Sequence, residues 1–139
     1  MDWKLEVVIA PVADVERARA FYVDTLGFRQ DSDFAPNEHF RVIQVTPPGS
    51  ACSIVFGTGL GGGVAPGSLK GAQLVVEDIE EAHAFLEDRG IANSGPQHFL
   101  DGRMAAGLDP NRASYGTFVF FDDPDGNSWA LQEVRHPAR

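Results

Sequence analysis

The chain has 139 residues, the size of one domain, with 20 acidic side chains against 11 basic ones and a formal charge of −9. Hydrophobic residues make up 43% and charged residues 22%, which excludes a disordered chain. The negative balance argues against nucleic acid and anionic membrane as partners, and no run of about 18 apolar residues suggests a membrane span. The single cysteine, Cys52, excludes an internal disulfide and fits a cytoplasmic location.

The first predicted element is a strand, LEVVIAPV (5–12), followed by acid and not by a cleavage site of the signal-peptide kind. A helix follows in VADVERARAFYVDTLG (12–27). Asp14 is its N-cap candidate, Val15, Ala18, Phe21 and Tyr22 form its apolar stripe, and Gly27 stops it. Two strands come next, FRVIQVT (40–46) and CSIVFG (52–57), joined through PPGSA. The glycine-rich stretch over 57–71 is a linker in composition. It is not a phosphate loop, because it does not run from a strand into a helix with a Lys-Ser/Thr pair.

The same order then returns. AQLVVE (72–77) is a strand, and VEDIEEAHAFLEDRG (76–90) repeats the first helix with Asp78 as cap, Ile79, Ala82, Phe85 and Leu86 as stripe, and Gly90 as stop. The first copy is one residue longer before its glycine. The segment 97–116 is long for a connection and reads as a lid or a mobile surface loop. It carries His98, Asp101, Arg103, Met104, Arg112 and Tyr115, with Gly102 and Gly107 as hinge candidates. TFVFFD (117–122) and SWALQEV (128–134), joined by DPDGN, close the chain, and PPGSACSIVF (47–56) aligns with PDGNSWALQE (124–133). The expectation is an α+β protein of two tandem β-α-β-β-β modules: module 1 over 5–57, a linker over 58–70 and module 2 over 71–135, together one domain.

This duplicated unit, with its V-x-D-[VI]-E-x-A-x-x-F helix start and FFDDPDGNSWALQE ending, resembles the vicinal oxygen chelate superfamily across essentially the whole chain. That superfamily holds glyoxalase I, bleomycin-resistance proteins and extradiol dioxygenases. The resemblance implies a curved mixed sheet around a substrate cleft, homodimers, and in many members a divalent metal held by His, Gln or Glu on the first and last strand of each module. Carried over here, the metal positions fall on Val7, Ser53, Gly71 and Ala130, which make no such site. Same-face neighbours (Leu5, Ile9, Gln73, Gln132) add at most weak carbonyl donors. Only a register slip of one would bring in Glu6 and Glu133.

The remaining polar candidates for a ligand are Gln73 and Gln132, together with Arg41 and Gln44, which lie on opposite faces of one strand. Tyr115 and Phe118 complete the expected ligand contacts. His98 is the one candidate general acid or base. Trp129 and Leu131 read as core, Cys52 as a buried thiol, and His39, His83 and His136 as solvated. Two functions compete. The favoured one is a small-molecule-binding protein without the metal or another cofactor, its charge suited to cationic ligands. The alternative is a glyoxalase I-like lyase or extradiol-dioxygenase-like oxidoreductase with a displaced metal site. A vestigial cleft in a structural or regulatory protein is the third reading.

Overall fold

A computed structural model of the chain describes residues 1–60 and 62–135; His136 lies outside the described residues. The chain divides into two compact units, one of residues 1–69 with 123–127 and one of 70–122 with 128–139. The division falls one residue before the expected end of the linker. The DPDGN turn of the second half belongs with the first unit, which the repeat did not foretell.

The first unit holds a four-stranded mixed sheet. Its strands are β1 (Val7–Ile9), β2 (Arg29–Asn37), β3 (Phe40–Thr46) and β4 (Ser53–Thr58), in the order β1-β4-β3-β2. β1 runs parallel to β4 with Val7 level with Ser53, and the other pairs are antiparallel. β1 is shorter than the predicted 5–12, since Ala10 makes the last ladder bond, to Val55, before Pro11. β2 was not predicted. All nine of its residues are exposed and include Pro36, so an edge strand carries no apolar alternation to announce it.

The helix α1 (Val15–Arg19) is capped by Asp14, whose carboxylate accepts the Arg17 amide at 3.1 Å. It continues as a π-helix over Ala20–Thr25, with the Leu26 amide bonded five residues back to Phe21. The second unit's helix, α2 (Ile79–Asp88), stays α-helical throughout and is capped by Asp78. The extra residue of the first copy is therefore absorbed by widening one turn, so that both copies reach a glycine with positive φ, Gly27 and Gly90. Inside the first unit, Tyr22 is fully buried and stacks on Phe56 at 5.4 Å. Its hydroxyl donates to Asp123 at 2.7 Å. Asp123 also accepts the Asp125 and Asn127 amides, and Asn127 reaches the Pro11 carbonyl and accepts from Leu69. The family-like DPDGN sequence is thus a side-chain-wired turn seated on the first helix.

The second unit holds β5 (Ala72–Val76), β6 (Gln97–Leu100), β7 (Arg103–Ala106), β8 (Thr117–Asp122) and β9 (Ser128–Glu133), in the order β5-β9-β8-β6-β7. β5 is parallel to β9 and forms an edge; the rest are antiparallel. The 97–116 segment, expected as one long connection, is not a single loop. Its first half is the β6–β7 hairpin, turned by Asp101 (φ 52) and Gly102 (φ 78), two left-handed residues that suit a type I′ turn. Gly102 is a turn residue and not a hinge.

α2 packs on β8 and β9, where Val119, Phe121, Trp129 and Leu131 are buried as predicted for the latter two. On the same side of β9 lies Glu133, fully buried. Its carboxylate accepts the Ile79 amide at the N-terminus of α2 at 3.0 Å and accepts from two of the three Arg112 nitrogens, Nη2 at 2.6 Å and Nε at 3.0 Å. A helix N-terminus and a bidentate guanidinium together favour the charged form. The Arg112 bonds, ahead of the opposing effect of burial, hold the Glu133 carboxyl below its ordinary range.

Two outcomes follow from these bonds. Tyr22→Phe keeps the stacking and removes one hydroxyl from a buried carboxylate, so urea denaturation should show a loss of about 1–2 kcal/mol. Arg112→Met leaves Glu133 charged and buried with too few partners, and should cost about 3 kcal/mol at neutral pH. Because the folded-state pKa of Glu133 is depressed, its contribution to wild-type stability is present above its unfolded pKa and lost as pH falls through the folded one. Stability curves of Arg112→Met should therefore decline less on acidification than those of the wild type.

Candidate functional site

A strand shows alternate side chains to opposite faces, and residues directly paired across a sheet share a face. In the second unit, Trp129, Leu131 and Glu133 belong to the face under α2. The other face carries Ala130 and Gln132. Pairing extends this second face as one row from Val75 through Gln132 and Phe118 to Gln97 and Ala106. A neighbouring row holds Gln73, Ala130 and Phe120, and beyond Gln97 lie the paired Phe99 and Met104. Phe118 stacks on Phe120 at 5.8 Å with rings 5° from parallel, and Phe99 meets Phe118 edge-on at 5.9 Å. Phe99 remains 60% exposed and Val75 59%. This is an aromatic floor edged by three glutamines, on the sheet face away from α2.

Gln132 is the one glutamine of the three with a defined orientation. Its Nε2 donates to the Tyr115 carbonyl at 3.1 Å. Tyr115 sits at φ 70 and donates its amide to the Glu133 carbonyl at 2.7 Å. The second half of the predicted lid, after Gly107, is thus fastened to β9 by Tyr115 and Arg112, and by the Ser114 hydroxyl, which accepts the Arg135 amide.

His98 does not join this face. It pairs with Thr117, on the side opposite Gln97 and Phe118, is nearly buried, and its Nδ1 lies 2.9 Å from the Gly107 carbonyl. A carbonyl only accepts, so Nδ1 is the donor in this contact. The imidazole is a strap between β6 and the following loop, and it stands apart from the aromatic floor.

In the first unit the sheet separates Arg41 from Gln44. Arg41 pairs with Asp33 at 2.7 Å and with Glu16 of α1 at 3.2 Å, so it belongs to the helix side. Gln44 shares the other face with Ser32 and Val55. On that face Thr46 donates to Asp31, and Ser53 therefore donates to Thr46 at 2.6 Å. Asp31 stands at the β2 irregularity between Gln30 and Ser32, which turns its carboxylate toward β3. The Thr46 bond, then Arg29 at 2.7 Å, holds the Asp31 carboxyl below its usual range. Alternation in β6 and the odd residue in β2 were the signals for Phe99 and Asp31, but neither strand was visible in the sequence.

Register also places the four expected metal positions. Val7 is level with Ser53, and the residue level with Ala130 is Gln73; Gly71 precedes β5. Valine, serine, glutamine and alanine provide no imidazole or carboxylate, so these residues do not fit a catalytic divalent ion. Glu133 is committed to Arg112 and α2, and Glu6 lies ahead of β1, its carbonyl bonded to the Ser53 amide. Among the described residues no three His, Cys, Asp or Glu side chains are grouped as a metal would require.

Known proteins share this fold. The chain is 33% identical to TnmS3, an antibiotic binding protein from Streptomyces sp. CB03234, with a TM-score of 0.75 covering 96% of this chain and 97% of that one. It is 30% identical, at a TM-score of 0.74, to a member of the glyoxalase/bleomycin resistance protein/dioxygenase superfamily from Sphaerobacter thermophilus DSM 20745, covering 95% and 98% of the two chains. The uncharacterised protein YetH of Bacillus subtilis (strain 168) is 25% identical over 137 residues, 94% of this chain and 98% of that protein. The family model matches residues 4–131, and the chain belongs to the Glyoxalase/Bleomycin resistance protein/Dioxygenase superfamily.

Proposed function

We propose that this protein binds a small organic molecule non-covalently, without a catalytic metal, and sequesters it. The observation that carries this reading is the aromatic cluster of Phe99, Phe118 and Phe120 with Met104 on the sheet face away from α2, in which Phe99 and Met104 are exposed, Phe120 is half-buried and Phe118 is buried. The exposed Phe99 and Met104 side chains gain from covering by an apolar or aromatic ligand, at about 25 cal/mol per Å² of apolar surface removed from water. Similarity to an antibiotic binding protein supports the same reading. The charge of −9 favours neutral or cationic ligands over anions. The enzyme reading loses support from the donor set at Val7, Ser53, Gln73 and Ala130, and from the commitment of Glu133 to a helix terminus.

No helix among the described residues is long and apolar enough to cross a membrane. The exposed outer edges of β2 and β5 suit pairing with a second copy, and the protein is proposed to be a cytoplasmic homodimer. Light scattering on the eluting peak should give twice the chain mass; a monomer would remove that proposal.

The function is tested on protein purified without a His-tag. Metal content by mass spectrometry should be far below one ion per chain, and Ni²⁺, Zn²⁺, Mn²⁺ and Fe²⁺ should leave the melting temperature unchanged. A library of aromatic and cationic compounds should contain ligands that raise it, by a free energy of about 2.7 kcal/mol at a hundredfold excess over Kd. A stoichiometric ion with three or more protein ligands would restore the metalloenzyme reading, and a library without a single stabilising compound would sink the binding reading.

A further inference from the structure

We infer that Met104 is a reversible oxidation site, at which a peroxide lowers the affinity of the aromatic face for apolar ligands. The inference rests on the proposed binding function and names a means of regulating that site.

The chain has two methionines, Met1 and Met104. β7 is the outermost strand of its sheet, and Met104 is paired across the hairpin with Phe99. Residues paired in this way share a face. β6 is laddered to β8 only through Gln97 and His98, so the Phe99–Met104 pair lies beyond that ladder. Phe99 is 60% exposed and Met104 36%, whereas Phe120 is half-buried and Phe118 buried. A ligand on this face therefore covers Phe99 and Met104 first. Of the four side chains, Met104 alone carries an atom that peroxide oxidises.

The chemistry needs hydrogen peroxide and no protein catalyst. A lone pair of the thioether sulfur attacks one peroxide oxygen. The S–O bond forms, the O–O bond breaks, and the departing hydroxide takes the proton of the transferred oxygen and leaves as water. Sulfur is oxidised by two electrons and the peroxide is reduced. The product is methionine sulfoxide, which is polar where the thioether was apolar. Its oxygen accepts hydrogen bonds and has no hydrogen to donate. Water satisfies that oxygen while the face is open. A ligand without N–H or O–H groups that covers Met104 removes the water and leaves the acceptor unpaired, which weakens binding. Methionine sulfoxide reductases restore the thioether, so the change is reversible.

The test uses 6-propionyl-2-(dimethylamino)naphthalene, a neutral probe without N–H or O–H groups whose fluorescence responds to an apolar environment. Its affinity for the wild type is measured before and after hydrogen peroxide, while mass spectrometry follows oxygen uptake in the tryptic peptide 104–112. Affinity should fall about tenfold as that peptide gains one oxygen. It should recover when the reductases for both sulfoxide epimers, with dithiothreitol, remove the oxygen. Met104→Leu keeps an apolar side chain of similar volume, so it should bind the probe within about twofold of the wild type. It should keep that affinity in peroxide although it retains Met1 and Cys52. Far-UV circular dichroism of the oxidised wild type should match that of the reduced protein. Unchanged affinity after oxidation of Met104, an equal loss in Met104→Leu, or a loss that accompanies unfolding would overturn the inference and leave the binding reading standing. Failure of the reduced wild type to bind the probe up to its solubility limit would count against the binding reading and the inference together.

Discussion

The buried carboxylate of Glu133 decides how the second unit can be used. It bonds the Ile79 amide at a helix terminus and Arg112 on a loop, with Arg135 paired to it at 3.6 Å. A charge taken fully out of water cannot be shifted by one residue along its strand without losing these partners. β9 is therefore locked in register. With it are locked the faces of Trp129 and Leu131, turned to α2, and of Ala130 and Gln132, turned away. The candidate site is the complement of that decision: whatever α2 does not cover.

The first unit reaches a similar end through a different device. Its helix carries one residue too many and widens into a π-helix, which keeps Tyr22 against Phe56 and lets its hydroxyl meet Asp123. The same side chain thus closes the core and anchors the DPDGN turn. On the uncovered face the polar atoms differ from those of the second unit. Ser53, Thr46 and Asp31 form a directed string of hydrogen bonds, where the second unit has Ala130 and an aromatic floor. Duplication preserved the backbone plan, and the two faces diverged in chemistry. Val7, Ser53, Gln73 and Ala130 all lie on the sheet faces turned away from the helices, so their residue types are not dictated by packing under the helices.

The sequence by itself determined the duplication, the α+β class and the capped helices, because these depend on local chemistry. Asp14 and Asp78 cap within three residues, Gly27 and Gly90 end helices through their own φ, and the apolar stripe of each helix repeats in plain view. It also determined that the expected metal positions hold no strong ligands, since that is a matter of residue type alone. Tertiary structure decided the rest. β2 is an exposed edge whose polar residues carry no period, so only its pairing with β3 makes it a strand. The Asp101-Gly102 pair was a legible turn signal that the length of the segment obscured. The choice between Arg41 and Gln44, the exclusion of His98 from the aromatic face, and the meeting of Phe99 with Phe118 all depend on which strand lies beside which. Strand neighbours are set by contacts between residues far apart in the chain, and no local pattern records them.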